Sequence, residues 1–135
     1  MREILFRGKT KNGEWKIGDL IIEWYGETPY IHWFEYSSLA LSREEKVIPE
    51  TVGQFTGLTD KNGKKIFEGD IIQGTITSRW DKSLIRCEIV YKGDCFLAIE
   101  KISNTLWEHK IRFAKDIEVI GNIHDNPELL EKYNA

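Results

Sequence analysis

The stretch TGLTDKNGKKIFEGDII, Thr56 to Ile72, decides the fold. Asn62-Gly63 is a tight-turn dipeptide, because both residues tolerate the positive φ angles a hairpin turn needs. Ile66 and Phe67 then supply apolar surface. Gly69-Asp70 bends the chain into a strand at Ile71-Ile72: glycine relieves a sharp bend, and aspartate accepts a neighbouring backbone N–H. The same stretch holds Asp60, Glu68 and Asp70, the residue types of an acid–base pair. Turn and bend chemistry accounts for Asp60 and Asp70 without catalysis. Gly57 to Gly63 with Lys64 resembles a phosphate loop only superficially. Lys65 stands where such a loop carries Ser or Thr, and the strand–loop–helix context is missing.

The stretch has an echo upstream. Lys11-Asn12-Gly13 followed by Gly18-Asp19-Leu20-Ile21 resembles Lys61-Asn62-Gly63 followed by Gly69-Asp70-Ile71-Ile72. Each half of the chain is expected to begin with a hairpin that feeds a bent strand. Ile4 to Arg7 reads as a first strand and Glu14 to Tyr25 as a second, bent at Gly18. Tyr30 to Tyr36 reads as an aromatic third strand with Tyr30, His32, Phe34 and Tyr36 on one face. Ser37 to Lys46 is polar and without clear period, and is expected to be a mobile loop. Pro49-Glu50-Thr51 can carry one helical turn. A meander follows: Asp70 to Ser78, Leu84 to Tyr91, Cys95 to Lys101, Thr105 to Phe113 and Ile117 to Ile120. Short strands at this spacing suggest a small closed barrel. Asn126 at the N-cap, Pro127 at the first helical position and Glu128 beside the positive end of the dipole start a short C-terminal helix.

The chain has 135 residues, 41% hydrophobic and 30% charged. That is a globular composition of one domain or two intimate small ones. The expected division is 1–55, an N-terminal β subdomain, and 56–135, a barrel subdomain with the helical tail. Net charge is −3 and the aromatic share 12%. The acidic balance argues against coating nucleic acid through phosphates alone. The first residues are charged and lack an apolar signal core, and no apolar run reaches the length of a membrane span, so a cytoplasmic location without membrane association is expected. Cys87 and Cys95 flank Lys92-Gly93-Asp94. With Tyr91 opposite Cys95, the two sulfurs would share a face about 13 Å apart, too far for a disulfide. Both read as reduced core thiols.

Two blocks, ETVGQFTGLTDKNGKKIFEGDII (Glu50 to Ile72) and IEVIGNIHDNPELL (Ile117 to Leu130), resemble the YopX protein family, as does the opening ILFRGKTKNGEW. The resemblance implies a phage or prophage protein of Gram-positive bacteria. It implies a mainly β fold with an SH3-like barrel portion, and it brings no established activity, no agreed catalytic residues and no cofactor.

Candidate sites are few. No nucleophile motif is present, and His32, His109 and His124 lack the paired short spacing of zinc ligands. Arg79-Trp80-Asp81-Lys82 falls at an expected hairpin tip with Arg86 nearby, and Lys110 and Arg112 follow later. A Trp flanked by cations can stack a base while the cations meet phosphates. It can equally pack down on the barrel and leave the charges to solvent, which the acidic balance favours. Trp15, Trp24, Tyr25, Tyr30, Trp33, Phe34 and Tyr36 form an aromatic band on both faces of the second and third strands. One face serves the core. The other needs cover from the second half of the chain or from another subunit, with Trp24, Tyr25, Trp33 and Phe34 as interface candidates. The expected function is therefore a non-enzymatic phage accessory protein that acts by contact with itself or with another phage or host protein. Nucleic-acid binding through the cationic aromatic loop is the alternative.

Overall fold

The structure, a computed structural model, describes residues 2–36 and 40–133. It is mainly antiparallel β and divides into two compact units, Met1–Gly57 and Leu58–Ala135.

The first unit is a sheet built outward from its first hairpin. β1 (Phe6–Lys9) pairs with β2 (Trp15–Ile22), β2 with β3 (Pro29–Tyr36), and β3 with β4 (Ala40–Lys46). On the other side of β1 lies the start of β5 (Gly53–Thr59), where Phe6 faces Gln54. The β1–β2 turn closes with the Thr10 N–H donating to the Glu14 carbonyl at 2.8 Å. Only Gly13 in it takes a positive φ, 87°. The loop is three residues, Lys11 to Gly13, with glycine at the left-handed position. Gly18 is needed where the sequence places it, since a Cβ there would run into the His32 carbonyl of β3. Ile31 and Val47 are fully buried in this unit. A single 3-10 turn, Pro49–Thr51, follows β4 as expected. The Thr51 hydroxyl takes the Lys9 N–H at 2.8 Å and donates to the Ile48 carbonyl at 2.6 Å.

The expected loop over Ser37 to Lys46 is corrected for most of its length. Residues 40–46 form β4, in register with β3 from Tyr30↔Lys46 to Tyr36↔Ala40, and residues 37–39 lie outside those described. Edge strands tolerate a polar, charged sequence because one side of their backbone meets solvent. The ladder to β3, a long-range interaction, overrides the weak local preference of SREEK.

The second unit carries a five-stranded sheet in the order β10-β9-β8-β7-β11. Its strands are β7 (Asp70–Thr77), β8 (Lys82–Lys92), β9 (Cys95–Ile102), β10 (Thr105–His109) and β11 (Glu118–Asn122). A short strand β6 (Lys65–Phe67) precedes them and pairs with β5. Among the described residues the order is linear, with β10 and β11 at its ends. One face of the sheet, with Ile72, Ile85, Cys87, Ile89 and Ala98, packs with Ile66 of β6 and with Ile111 and Ile117 in one apolar cluster. At roughly 25 cal/mol per Å² of apolar surface, this cluster is the main source of the unit's stability. The tail helix α1 (Glu128–Tyr133) is tied to β8 by Arg86, whose guanidinium donates to the Leu129 carbonyl at 3.1 Å.

The β8–β9 turn differs by one residue from expectation. Lys92 faces Cys95 and Tyr91 faces Phe96, so the turn is Gly93-Asp94 alone, with Gly93 at φ 68°. A slip of one position exchanges the faces of a strand. Cys95 therefore points away from the core face and is exposed, while Cys87 is fully buried. Only Cys87 is a core thiol.

Candidate functional site

Two carboxylates of the deciding stretch, Asp60 and Asp70, are structural. Asp60 is 7% exposed. Its Oδ1 accepts the N–H groups of Asn62 and Lys64 at 2.9 Å each, and its Oδ2 accepts that of Val119 in β11 at 3.0 Å. Burial alone would raise the carboxyl's pKa. The three N–H donors and the Lys64 charge together outweigh it and hold the group below the ordinary carboxylate value. One side chain thus shapes the Lys61–Gly63 turn and pins it to the last strand. Asp70, also buried, accepts the Phe67 N–H at 2.7 Å across the Gly69 bend, where φ is 93°. Both carboxylates are buried and accept backbone N–H groups, which accounts for them without acid–base work.

Cys87 is likewise unsuited to chemistry. Burial, with the Glu100 charge second, pushes its thiol up to about 12, so it stays protonated and non-nucleophilic near neutral pH. Glu100 is itself buried and meets His109 Nε2 at 3.0 Å. Among the described residues no three His, Cys, Asp or Glu side chains cluster as metal donors.

The second unit holds two open depressions. The first, about 440 Å³, has an apolar floor of Ile66, Ile111, Ile117 and Phe113, with Lys61, Arg112 and Lys115 at its rim. The second, about 420 Å³, is lined by Thr75, Thr77, Lys82, Lys115 and Asp116. It lies where β11 stops: Glu118 is opposite Gln73, so the Thr75–Thr77 edge of β7 has no strand beside it in that ladder. Asp116 Oδ1 takes the Thr75 N–H there at 2.8 Å, and this bond holds the Asp116 carboxyl below its ordinary value. Lys115 lines both depressions.

The six candidate nucleic-acid residues separate in the fold. Trp80 stands at the β7–β8 tip and is 89% exposed, with the Arg79 guanidinium 5.8 Å from its ring centroid. It does not pack down on the sheet. Lys82 enters the second depression and Arg112 the first. Lys110 is exposed and lines neither. Arg86 is half-buried and engaged with Gln73 and Leu129, a structural tie. Lys61, Lys115, Thr75 and Thr77 were not candidates. They come from three separate segments, so no local pattern marks them.

In the first unit, Trp24 and Tyr25 sit on the β2–β3 turn, 92% and 76% exposed, with their rings edge to face at 5.6 Å. Along β3 the rings of His32, Phe34 and Tyr36 follow one another at 4.9 and 6.2 Å, with Phe34 49% and Tyr36 81% exposed. Trp33, on the other face of β3, lies half-buried under the Lys16 ammonium at 4.9 Å. Among the described residues, Trp24, Tyr25, Phe34 and Tyr36 stay exposed.

The YopX protein family profile matches residues 5–131. The chain belongs to the YopX family. Protein EF1440 from Enterococcus faecalis, known from a crystal structure, is similar in fold, with 26% identity and a TM-score of 0.62. The similarity covers 96% of this YopX-family chain and 99% of that one. No curated protein matches it. Among its described residues no helix is long and apolar enough to cross a membrane.

Proposed function

We propose that this YopX-family chain is a non-enzymatic phage or prophage accessory protein of the bacterial cytoplasm that acts by protein–protein contact, first of all with its own copies. The exposed rings Trp24, Tyr25, Phe34 and Tyr36 of the first unit carry this reading. Several large aromatic side chains left in water on one small unit mark an interaction surface rather than ordinary surface scatter. The engaged carboxylates and the protonated Cys87 support a non-enzymatic role, and the phage origin rests on family membership. Light scattering across a range of concentrations tests self-association. An assembly that Phe34→Ser with Tyr36→Ser dissociates is the expected result. A monomer at high concentration overturns it.

The second unit is proposed to be a small SH3-like barrel, because the hairpin ending in β6 lays Ile66 against the same apolar cluster as the five-stranded sheet. One observation favours a second functional reading, nucleic-acid binding at the β7–β8 tip: Trp80 is held in water beside Arg79. Fluorescence anisotropy with labelled oligonucleotides at two salt concentrations tests it, and no binding at low salt ends it.

A further inference from the structure

The two depressions of the second unit adjoin at Lys115 and together outline a track. Lys115 borders both, Lys82 stands in the second, and Arg112 and Lys61 stand in the first. Lys82 follows two residues after Trp80 and faces Thr77 across the β7–β8 ladder, so the β7–β8 tip that carries the exposed indole adjoins the second depression. Among the described residues Lys82, Arg112 and Lys115 make no ion pair within the chain, whereas Lys61 meets Glu118 at 3.4 Å. The nearby acids Asp60, Asp116 and Asp81 keep their charge but hold backbone N–H groups rather than these cations: Asp60 takes three, Asp116 takes that of Thr75, and Asp81 takes that of Lys82 at 2.8 Å. A groove with free cations on its rim, an apolar floor that includes Phe113, and an exposed Trp at one end combines the two elements by which single strands are held: backbone neutralisation and base stacking.

We propose that this track binds single-stranded nucleic acid, with one base stacked on Trp80 and the phosphates passing Lys82, Lys115 and Arg112. The proposal rests on the nucleic-acid reading above and adds to it the strandedness and the path. A duplex buries its base faces, so it offers nothing to the indole. Each depression is large enough for a small organic group, which suits bases splayed from the strand. The overall charge of −3 confines binding to this strip, and its three cations set a modest salt slope of roughly −2 for a single strand.

The test is anisotropy titration of the full chain with a labelled oligothymidylate, a duplex of equal length and a polyglutamate peptide, at low and moderate salt. Variants are Trp80→Ala, Lys115→Glu, Arg112→Glu and, as a control of equal charge change, Lys92→Glu. Lys92 lies ten positions along β8 from Lys82, roughly 33 Å at strand rise. All four side chains are exposed, and circular dichroism confirms folding; Lys115→Gln and Arg112→Gln replace any variant that does not fold. The single strand is expected to bind more tightly than the duplex or the peptide. Trp80→Ala should weaken it roughly tenfold or more. Lys115→Glu and Arg112→Glu should each lower the salt slope by roughly 0.7 for every phosphate left without its cation, with Lys92→Glu unchanged. Binding of no oligonucleotide overturns both the reading and the proposal. Three results overturn the proposal while the reading stands: a duplex bound as tightly as the single strand, Lys115 and Arg112 variants no weaker than Lys92→Glu, or binding indifferent to Trp80. Polyglutamate bound as tightly as the single strand also overturns it, in favour of an acidic peptide.

Discussion

Removing the Asp60 carboxylate should strongly destabilise the second unit. Three charge-assisted backbone bonds converge on this one side chain. At about 1.5 kcal/mol each, the low end for bonds to a charged group, they sum to about 4–5 kcal/mol before the freed donors regain water. The Asn62 and Lys64 N–H groups lie in an exposed turn and can rotate to water, whereas the Val119 N–H is held in the sheet. Asp60→Ala is therefore expected to cost about 3 kcal/mol, a large fraction of the roughly 5–15 kcal/mol that holds a domain folded, and to lower Tm by roughly 10–20 °C. Asp60→Asn keeps the shape and one acceptor but turns an amide N–H toward a backbone N–H, at a cost of about 2 kcal/mol. The pH dependence has a definite sign. The folded carboxyl lies below its ordinary value of 3.8, so its contribution is complete above that value and is lost as pH falls through the lower folded one. The stability gap between the wild type and Asp60→Asn should accordingly narrow below about pH 4. Urea and thermal melts followed by circular dichroism between about pH 7 and about pH 2.5 measure both effects. An Asn variant within about 0.5 kcal/mol of wild type at neutral pH, or a gap that does not change with acid, refutes the reasoning.

The two cysteines should separate under alkylation. Cys95 should react with iodoacetamide in the folded protein and Cys87 only on unfolding, because burial keeps its thiol protonated up to about 12; peptide mapping of a native sample checks this, and early labelling of Cys87 contradicts it. Gly63→Ala should cost about 1 kcal/mol from backbone strain alone, since φ is 82° and a Cβ meets nothing within 4 Å. Gly63→Asn should cost less, and an alanine variant as stable as the asparagine one rules out the strain.

Turn chemistry was legible in the sequence because it is local. Asn12-Gly13, Asn62-Gly63 and Gly69-Asp70 do their work through residues no more than about four positions away, and the structure places turns or bends at all three. The role of Asp60 was half legible: its bonds to Asn62 and Lys64 belong to the turn, but its bond to Val119 spans 59 positions. Strand β4 was missed because its polar residues gain order only from the ladder to β3. The β8–β9 register was missed by one residue because Lys92-Gly93-Asp94 permits a two- or three-residue turn, and packing of Ile89 and Ala98 on the core face selects one.

The candidate site shows the same division. A Trp between Arg79 and Lys82 is visible in sequence as a cationic aromatic tip. Whether that ring is buried or in water is a tertiary matter, and so is the engagement of Arg86 with the tail helix. The convergence of Lys61, Lys82, Arg112 and Lys115 on two adjoining depressions depends on distant segments meeting around β7. By itself the sequence determined the β class, the turns at Asn12-Gly13, Asn62-Gly63 and Gly69-Asp70, and the family, because backbone conformational preference and period-two patterning act over a few residues. Register, burial and the assembly of a surface track depend on contacts between distant segments, and only the tertiary structure decided them.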